Sequence, residues 1–319
     1  MKMNELTIAN KAEIIENNVD LETLGQRFIE FVETDSTATL NTYKASIKRL
    51  LTFFHDNGIV RPTREDVKTY RDSLKETLKP SSINLYMTAT RLFFRWLSQE
   101  GIYETDIADH IKGAKIEQGH KKDPLTAHQV KTVLDTATGN DIASLRDFAI
   151  IRLMVTTGLR CVEVVRANIG DIRPVGNDVV LYIQGKGRNE KTEYVKLTAN
   201  VESAIRTYLT ARKATNDNAP LFSATSNHHS ADGRMTTRSI SGIVKAHFIE
   251  AGYNSPRLTA HSCRHTAATL NLLHGGELEE TRQLLRHHSI NTTMIYAHAL
   301  ERANNKSEQR IDDAIANAM

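Results

Sequence analysis

KGAKIEQGHKKDP, residues 112–124, decides how this chain folds. The stretch holds two glycines, a run of lysines and a closing proline, and its few apolar residues recur at neither a helical nor a strand period. Such a segment cannot bury a face of its own, so it reads as an extended linker between two domains of a 319-residue chain. The layout expected from it is an N-terminal arm at 1–19, a helical domain at 20–111, the linker at 112–124, a larger domain at 125–302 and a C-terminal helix at 303–319.

On the N-terminal side, Leu21, Leu24, Phe28 and Phe31 recur at helical spacing, as do Leu40, Tyr43, Ile47, Leu50 and Phe54. Pro62 is expected to open a third element and Pro80 to close it, with Ser81 or Ser82 capping a fourth helix that carries Leu92, Phe93, Trp96 and Leu97. Four helices of this kind make a small bundle. Lys68, Arg71, Lys75 and Lys79 are spaced three and four apart and predict one basic stripe, which Arg91 and Arg95 repeat. A stripe of this sort is a solvated face or an anion-binding face, and spacing alone does not choose between them.

On the C-terminal side, Thr126 can cap a helix running to about residue 137, and SLRDFAIIRLMVTTGLR predicts a long apolar helix that ends near Gly158. VVLYIQGKGRNEKTEYVKL, 179–197, has two β-rich runs around a Gly-Lys-Gly-Arg-Asn turn and reads as an antiparallel hairpin with Lys186 at or near its tip. Helical patterns resume over 200–213, 237–251 and 259–274, with shorter helices around Tyr296. The fold class is therefore mainly α, a helical bundle followed by a mixed α/β domain with a small antiparallel sheet.

Bulk properties narrow the function. The chain has 41 basic and 38 acidic residues, but acidic side chains predominate over 1–34 and basic ones over 35–122, an unevenness suited to an anionic partner. No apolar run approaches the roughly 18 residues that span a bilayer, and the acidic N-terminus is unlike a secretory signal. A cytoplasmic protein without membrane contact is expected. Two cysteines, Cys161 and Cys263, cannot build a disulfide framework, so reduced thiols are expected.

The chemistry is scattered along the second domain. TTGLRCVEV places Arg160 just beyond a helix-ending glycine, and TAHSCRHTAA carries His261, Arg264 and His265 at i, i+3 and i+4 on one helix face. A phosphodiester under substitution gathers charge on its nonbridging oxygens, which arginines and histidine donors are suited to hold. Tyr296, in HHSINTTMIYAHAL at 287–300, can then attack phosphorus and keep the ester energy in a covalent link, with no cofactor required. Lys186 can give the leaving 5′ oxygen its proton if neighbouring cations lower its pKa, and His287 adds a further donor.

These residues resemble the tyrosine recombinases, the phage integrase family, and especially its compact Xer-like members. Arg160, Lys186, His261, Arg264, His287 and Tyr296 match the family's six active-site positions in order and approximate spacing, and Glu163 matches an acidic position that supports the site. The resemblance implies a SAM-like core-binding domain and a catalytic domain clamped around double-stranded DNA at recombination sites, with the linker crossing the duplex. It implies a homotetrameric synapse, a 3′-phosphotyrosyl intermediate, a Holliday junction, accessory factors as further partners, and a place at the prokaryotic nucleoid. With DNA as the partner, the expected contacts are Lys44, Lys48, Lys68, Arg71, Lys75, Lys79, Arg91, Arg95, Lys121, Lys122, Arg188 and Arg286. The tail carries Ile311, Ile315 and Met319 at four-residue intervals, an amphipathic helix that in this family docks on a neighbouring protomer.

One position departs from the family pattern: Arg286 stands where glycine is usual. If that site needs positive φ, arginine adds about 1 to 3 kcal/mol of strain, and a phosphate contact is expected to offset it. Two other readings compete. His261, Cys263, His265, His287 and His288 could ligate zinc, although no HExxH or CxxC accompanies them and the cationic groups would repel the ion. A catalytically silent DNA-binding regulator of the same fold is the other, against which stands the presence of all six groups.

Overall fold

The computed structural model describes residues 20–32, 37–116, 122–185, 190–225 and 233–317. The arm at 1–19, Lys121, and Lys186 with Arg188 at the hairpin tip lie outside the described residues. Residues 1–118 and 119–319 form two compact units.

In the first unit, four helices, α1 (Leu21–Phe31), α2 (Thr37–Asp56), α3 (Arg64–Thr77) and α4 (Pro80–Gln99), bury an aromatic core. Phe28 meets Phe93 edge-on with ring centroids 5.3 Å apart, and Phe54, Tyr70, Phe94 and Trp96 complete the cluster. Helix α3 begins at Arg64 because Thr63 and Asp66 form a reciprocal capping box. Pro80 does not close α3, as its sequence context predicts; it is the first residue of α4, where its missing N–H costs nothing, and neither Ser81 nor Ser82 is the cap. Leu78 and Lys79 are extended, as expected of residues leading into a proline, so Lys79 lies past the end of α3 and the stripe on that helix stops at Lys75.

The second unit is built around α6 (Ile142–Thr157), whose buried residues point in every direction, as in a helix enclosed by others. Around it stand α5 (Ala127–Thr136), capped by Thr126 and Gln129, and α8 (Ala199–Ala211), α9 (Thr237–Glu250) and α10 (Ala260–Leu273). A short helix α7 (Cys161–Arg166) leads through a 3-10 turn into β1 (Ile172–Val175), β2 (Asp178–Ile183) and β3 (Glu193–Lys196). The sheet is antiparallel in the order β1-β2-β3, with Leu181 opposite Val195 and Ile183 opposite Glu193. β1 is an addition to the two strands read from the sequence: its four residues, Ile-Arg-Pro-Val, are too few and too interrupted by proline to show a period. Helices α11 (Leu278–Leu285), α12 (Asn291–Asn304) and α13 (Ser307–Ala316) end the chain.

The last residues of the linker stretch are held by the second unit. Lys122 Nζ donates to Pro256 O at 2.9 Å, Asp123 takes a forked ion pair from Arg257, and buried Leu125 donates its N–H to Thr266 Oγ1. Among the described residues no helix is long and apolar enough to cross a membrane.

Candidate active site

The site begins at a glycine. Gly158 ends α6 in the left-handed conformation, φ 63°, and a Cβ there would stand 2.7 Å from Leu285 Cδ2, so both backbone and space require glycine. The turn places Arg160 at the N-cap of α7, where Glu163, 1% exposed, holds it from two sides: its Oε2 accepts from Arg160 N at 2.8 Å and its Oε1 from Arg160 Nη1 at 3.0 Å. Arg160 stays about one-third exposed, so its guanidinium can still meet a ligand.

Arg264 projects from α10 into the same place and is fully buried. Its Nη1 donates to Gly158 O at 2.6 Å and its Nη2 to Leu285 O, tying the ends of α6 and α11 to α10. Burial, then the charges of Arg160 and Arg286, push its pKa down to about 9, which leaves the guanidinium charged at neutral pH. The terminal carbonyls of α11 carry the negative end of the helix dipole, a favourable seat for a cation.

His287 follows at the end of α11. Burial, and then Arg264, Arg160, Arg286 and His261, push its pKa down to about 4, so the imidazole is neutral at physiological pH. Its Nδ1 lies 2.9 Å from Thr293 Oγ1, and Thr293 is itself fully buried. This explains the Thr-Thr pair before the tyrosine: the second threonine orients a histidine six residues earlier. His261, at the start of α10, is also lowered, by partial desolvation and then by Arg264, Arg160 and Lys122.

Tyr296, on α12, is buried at 6% exposure against Ala268, Leu285 and Leu272. Its ring stands edge-on to His265, centroids 5.2 Å apart, and His265 in turn is edge-on to His261 at 4.8 Å. Burial raises the phenol above its ordinary value by more than Arg264 and Arg160 lower it, so the phenolate is not populated at neutral pH.

The structure thus gathers Arg160, Glu163, His261, Arg264, His287 and Tyr296, drawn from α7, α10, α11 and α12, while Lys186 lies outside the described residues. Three features were missed in the sequence: Thr293 behind His287, His265 against Tyr296, and the inward turn of Arg286. Only Thr293 left a signal, its place in the Thr-Thr pair. Arg286 has φ 54°, the left-handed value considered for it, but it donates to Glu163 Oε2 at 3.1 Å and to Leu284 O at 2.7 Å and is 7% exposed.

The other basic residues differ in setting. Lys44, Lys48, Lys75, Lys79 and Arg95 are exposed, while Lys68, Arg71, Arg91 and Lys122 are half-buried. Lys68 pairs with Glu65, Arg71 and Lys75 both pair with Asp72, and Arg91 donates to Ile111 O. Among the described residues no group of three or more His, Cys, Asp or Glu is placed to hold a metal ion, so the zinc reading finds no ligand set there.

Comparison with known proteins follows the same division of the chain. The profile of the phage integrase family matches residues 123–302, and that of the phage integrase N-terminal SAM-like domain matches residues 26–101. A tyrosine recombinase XerC of Pelobacter propionicus is 31% identical, over 82% of this chain and 85% of its own length. A tyrosine recombinase XerD of Yersinia pestis is 29% identical, over 85% and 90%. In fold, the chain is similar to the site-specific recombinase XerH bound to palindromic difH substrate (TM-score 0.67, 21% identity, 87% of this chain and 79% of that one). It is also similar to a lambda integrase tetramer bound to a Holliday junction (TM-score 0.65, 18% identity, 87% and 80%). This chain belongs to the phage integrase family, the tyrosine recombinases.

Proposed function

We propose that this chain is a site-specific recombinase that cleaves and rejoins double-stranded DNA through Tyr296. One observation carries the reading: the charges of Arg160 and Arg264 act together on His261, His287 and Tyr296, which come from separate helices. A phosphodiester placed among them meets two guanidiniums and two neutral imidazoles beside a phenol. Arg160 and Arg264 hold the nonbridging oxygens as charge builds on them. With His287 Nδ1 accepting from Thr293, its proton sits on Nε2, ready to donate. Tyr296 Oη bonds to phosphorus and loses its proton; the bond to the 5′ oxygen breaks, and that oxygen takes a proton from Lys186. The products are a 3′-phosphotyrosine and a free 5′ hydroxyl. Attack by a 5′ hydroxyl from a second duplex reverses each step and releases Tyr296, so exchange of one strand pair leaves a Holliday junction and four protomers complete the reaction.

The two-unit organisation supports an arm, a core-binding domain, a linker and a catalytic domain near the proposed limits of 1–19, 20–111, 112–124 and 125–302. The helix α13 buries none of its residues and leaves Ile311 and Ile315 about 60% exposed, which supports docking of the 303–319 tail on a neighbouring protomer. Deleting 303–319 should weaken synapsis more than single-site binding; equal losses would exclude this docking. Such a protein works where DNA is, in the cytoplasm at the nucleoid.

The decisive experiment is a suicide substrate in which the cleaved fragment diffuses away. Wild-type protein accumulates a covalent adduct with DNA, and Tyr296→Phe binds the same DNA but forms none. A wild type that binds and never forms the adduct is a silent regulator instead.

A further inference from the structure

Arg286 is left without a task by this reaction, yet it is held by more contacts than a surface arginine needs. It occupies the left-handed C-cap of α11, φ 54° and ψ 46°, where glycine adopts the backbone more cheaply than any side-chain-bearing residue. Its guanidinium nevertheless turns inward and is 7% exposed. Nη1 donates to Leu284 O at 2.7 Å, Nη2 donates to Glu163 Oε2 at 3.1 Å, and Nε is buried without a hydrogen-bond partner.

The carboxylate of Glu163 is therefore shared. Oε1 accepts from Arg160 Nη1, and Oε2 accepts from both Arg160 N and Arg286 Nη2. Without Arg286, Glu163 and Arg160 would be a neutral pair, and the cation that faces the phosphate would be compensated by its own support. With Arg286, Arg160 and Arg264 there are three positive charges around one carboxylate, and Glu193 on β3 contributes only a weaker negative field. A pentacoordinate phosphorus carries more negative charge than the diester it comes from, so excess positive charge in the pocket favours the transition state over the ground state.

Resting on the recombinase reading, we propose that Arg286 is a positioning residue for Arg160: it takes a share of Glu163, fixes that carboxylate, and leaves Arg160 an uncompensated cation for the phosphate. A direct phosphate contact is the competing role. The two differ in what they change: positioning acts on the chemical step, whereas contact acts on DNA affinity.

The test compares Arg286→Gly, Arg286→Met and Arg286→Lys in full-length protein. Adduct formation is followed in single turnover at saturating suicide substrate, DNA affinity against salt, and the His287 imidazole by NMR titration. Arg286→Gly removes the backbone strain, so its defect cannot be assigned to strain, and melting temperatures show whether each variant is folded. The expected result is a rate about 10- to 100-fold lower in the Gly and Met variants. DNA affinity should stay within about twofold with an unchanged salt slope, the His287 pKa should rise, and Arg286→Lys should restore most of the rate and the pKa. An Arg286→Gly rate equal to wild type overturns the proposal. So does a loss of affinity with a salt slope smaller by about one, which indicates direct contact, or an unmoved His287 pKa with no rescue by lysine. A wild type that forms no Tyr296-dependent adduct removes the recombinase reading itself and this inference with it.

Discussion

The basic stripe of α3 and the cationic pocket of the second unit use the same side chains under opposite conditions. Lys68, Arg71 and Lys75 are answered by acids one to three residues away, Glu65 and Asp72, on a wet surface. Arg160, Arg264 and Arg286 are answered by Glu163, more than 100 residues from Arg286 in sequence, and by the main-chain carbonyls of Gly158, Leu284 and Leu285. Exposed pairs of the first kind are worth roughly 0 to 1 kcal/mol and exchange readily for a phosphate. A buried guanidinium cannot reorganise so cheaply. Its geometry is set before the ligand arrives, which suits a site for chemistry, whereas the stripe suits loose and salt-sensitive attraction.

The largest expected effect lies in the pocket. Arg264→Lys cannot bridge two carbonyls with a planar fork, so adduct formation should fall about 100-fold or more. Unfolding in urea should show a loss of about 2 to 3 kcal/mol, because two buried carbonyls lose their donor. A variant that keeps both rate and stability would erase the contrast.

Acid should act next, and through His287. Its pKa is about 4 folded against 6.5 ordinarily, so a proton taken up by the unfolded chain is refused by the native one. The contribution is fully present above pH 6.5 and is lost as pH falls toward 4, on the order of 2 to 3 kcal/mol across that window. Melting temperatures measured from pH 7.5 to 4.5 should trace it, and His287→Asn should flatten this part of the curve. Identical curves would place the acid sensitivity elsewhere.

On the stripe the effects should be smaller and of another kind. Arg71→Ala and Lys75→Ala should each weaken DNA binding only a few-fold and reduce the salt slope by about one, with the cleavage rate of bound DNA unchanged. Asp72→Asn should cost less than about 1 kcal/mol and slightly tighten DNA binding by freeing two cations; its carboxyl is held down at about 2, first by Arg71 and then by Lys75. A cleavage defect in any of the three would show that the stripe takes part in the chemistry.

What could be read from the sequence follows the range of the interaction involved. Thr126, Gly158 and the 179–197 hairpin signal themselves within a few residues, through a cap, a turn and a β period. Pro80 was ambiguous because proline both ends helices and begins them. Lys79, one residue earlier, was misassigned to the stripe for the same reason. Arg160, Arg264, His287 and Tyr296 were found by matching an ordered set, but no local pattern reveals that Tyr296 is buried or that Arg286 meets Glu163. Both depend on how α7, α11 and α12 pack.

Gly158 has a consequence for how such a pocket survives change. Arg264 is gripped by peptide oxygens, which every amino acid supplies alike, so the neighbours on α6 and α11 are free to drift provided they preserve the path of the chain. The single exception is the residue whose absent side chain leaves room for Leu285. Lineages can therefore rewrite almost the whole lining of this seat and still inherit a working cation, while a lone methyl group at position 158 would be enough to dislodge it.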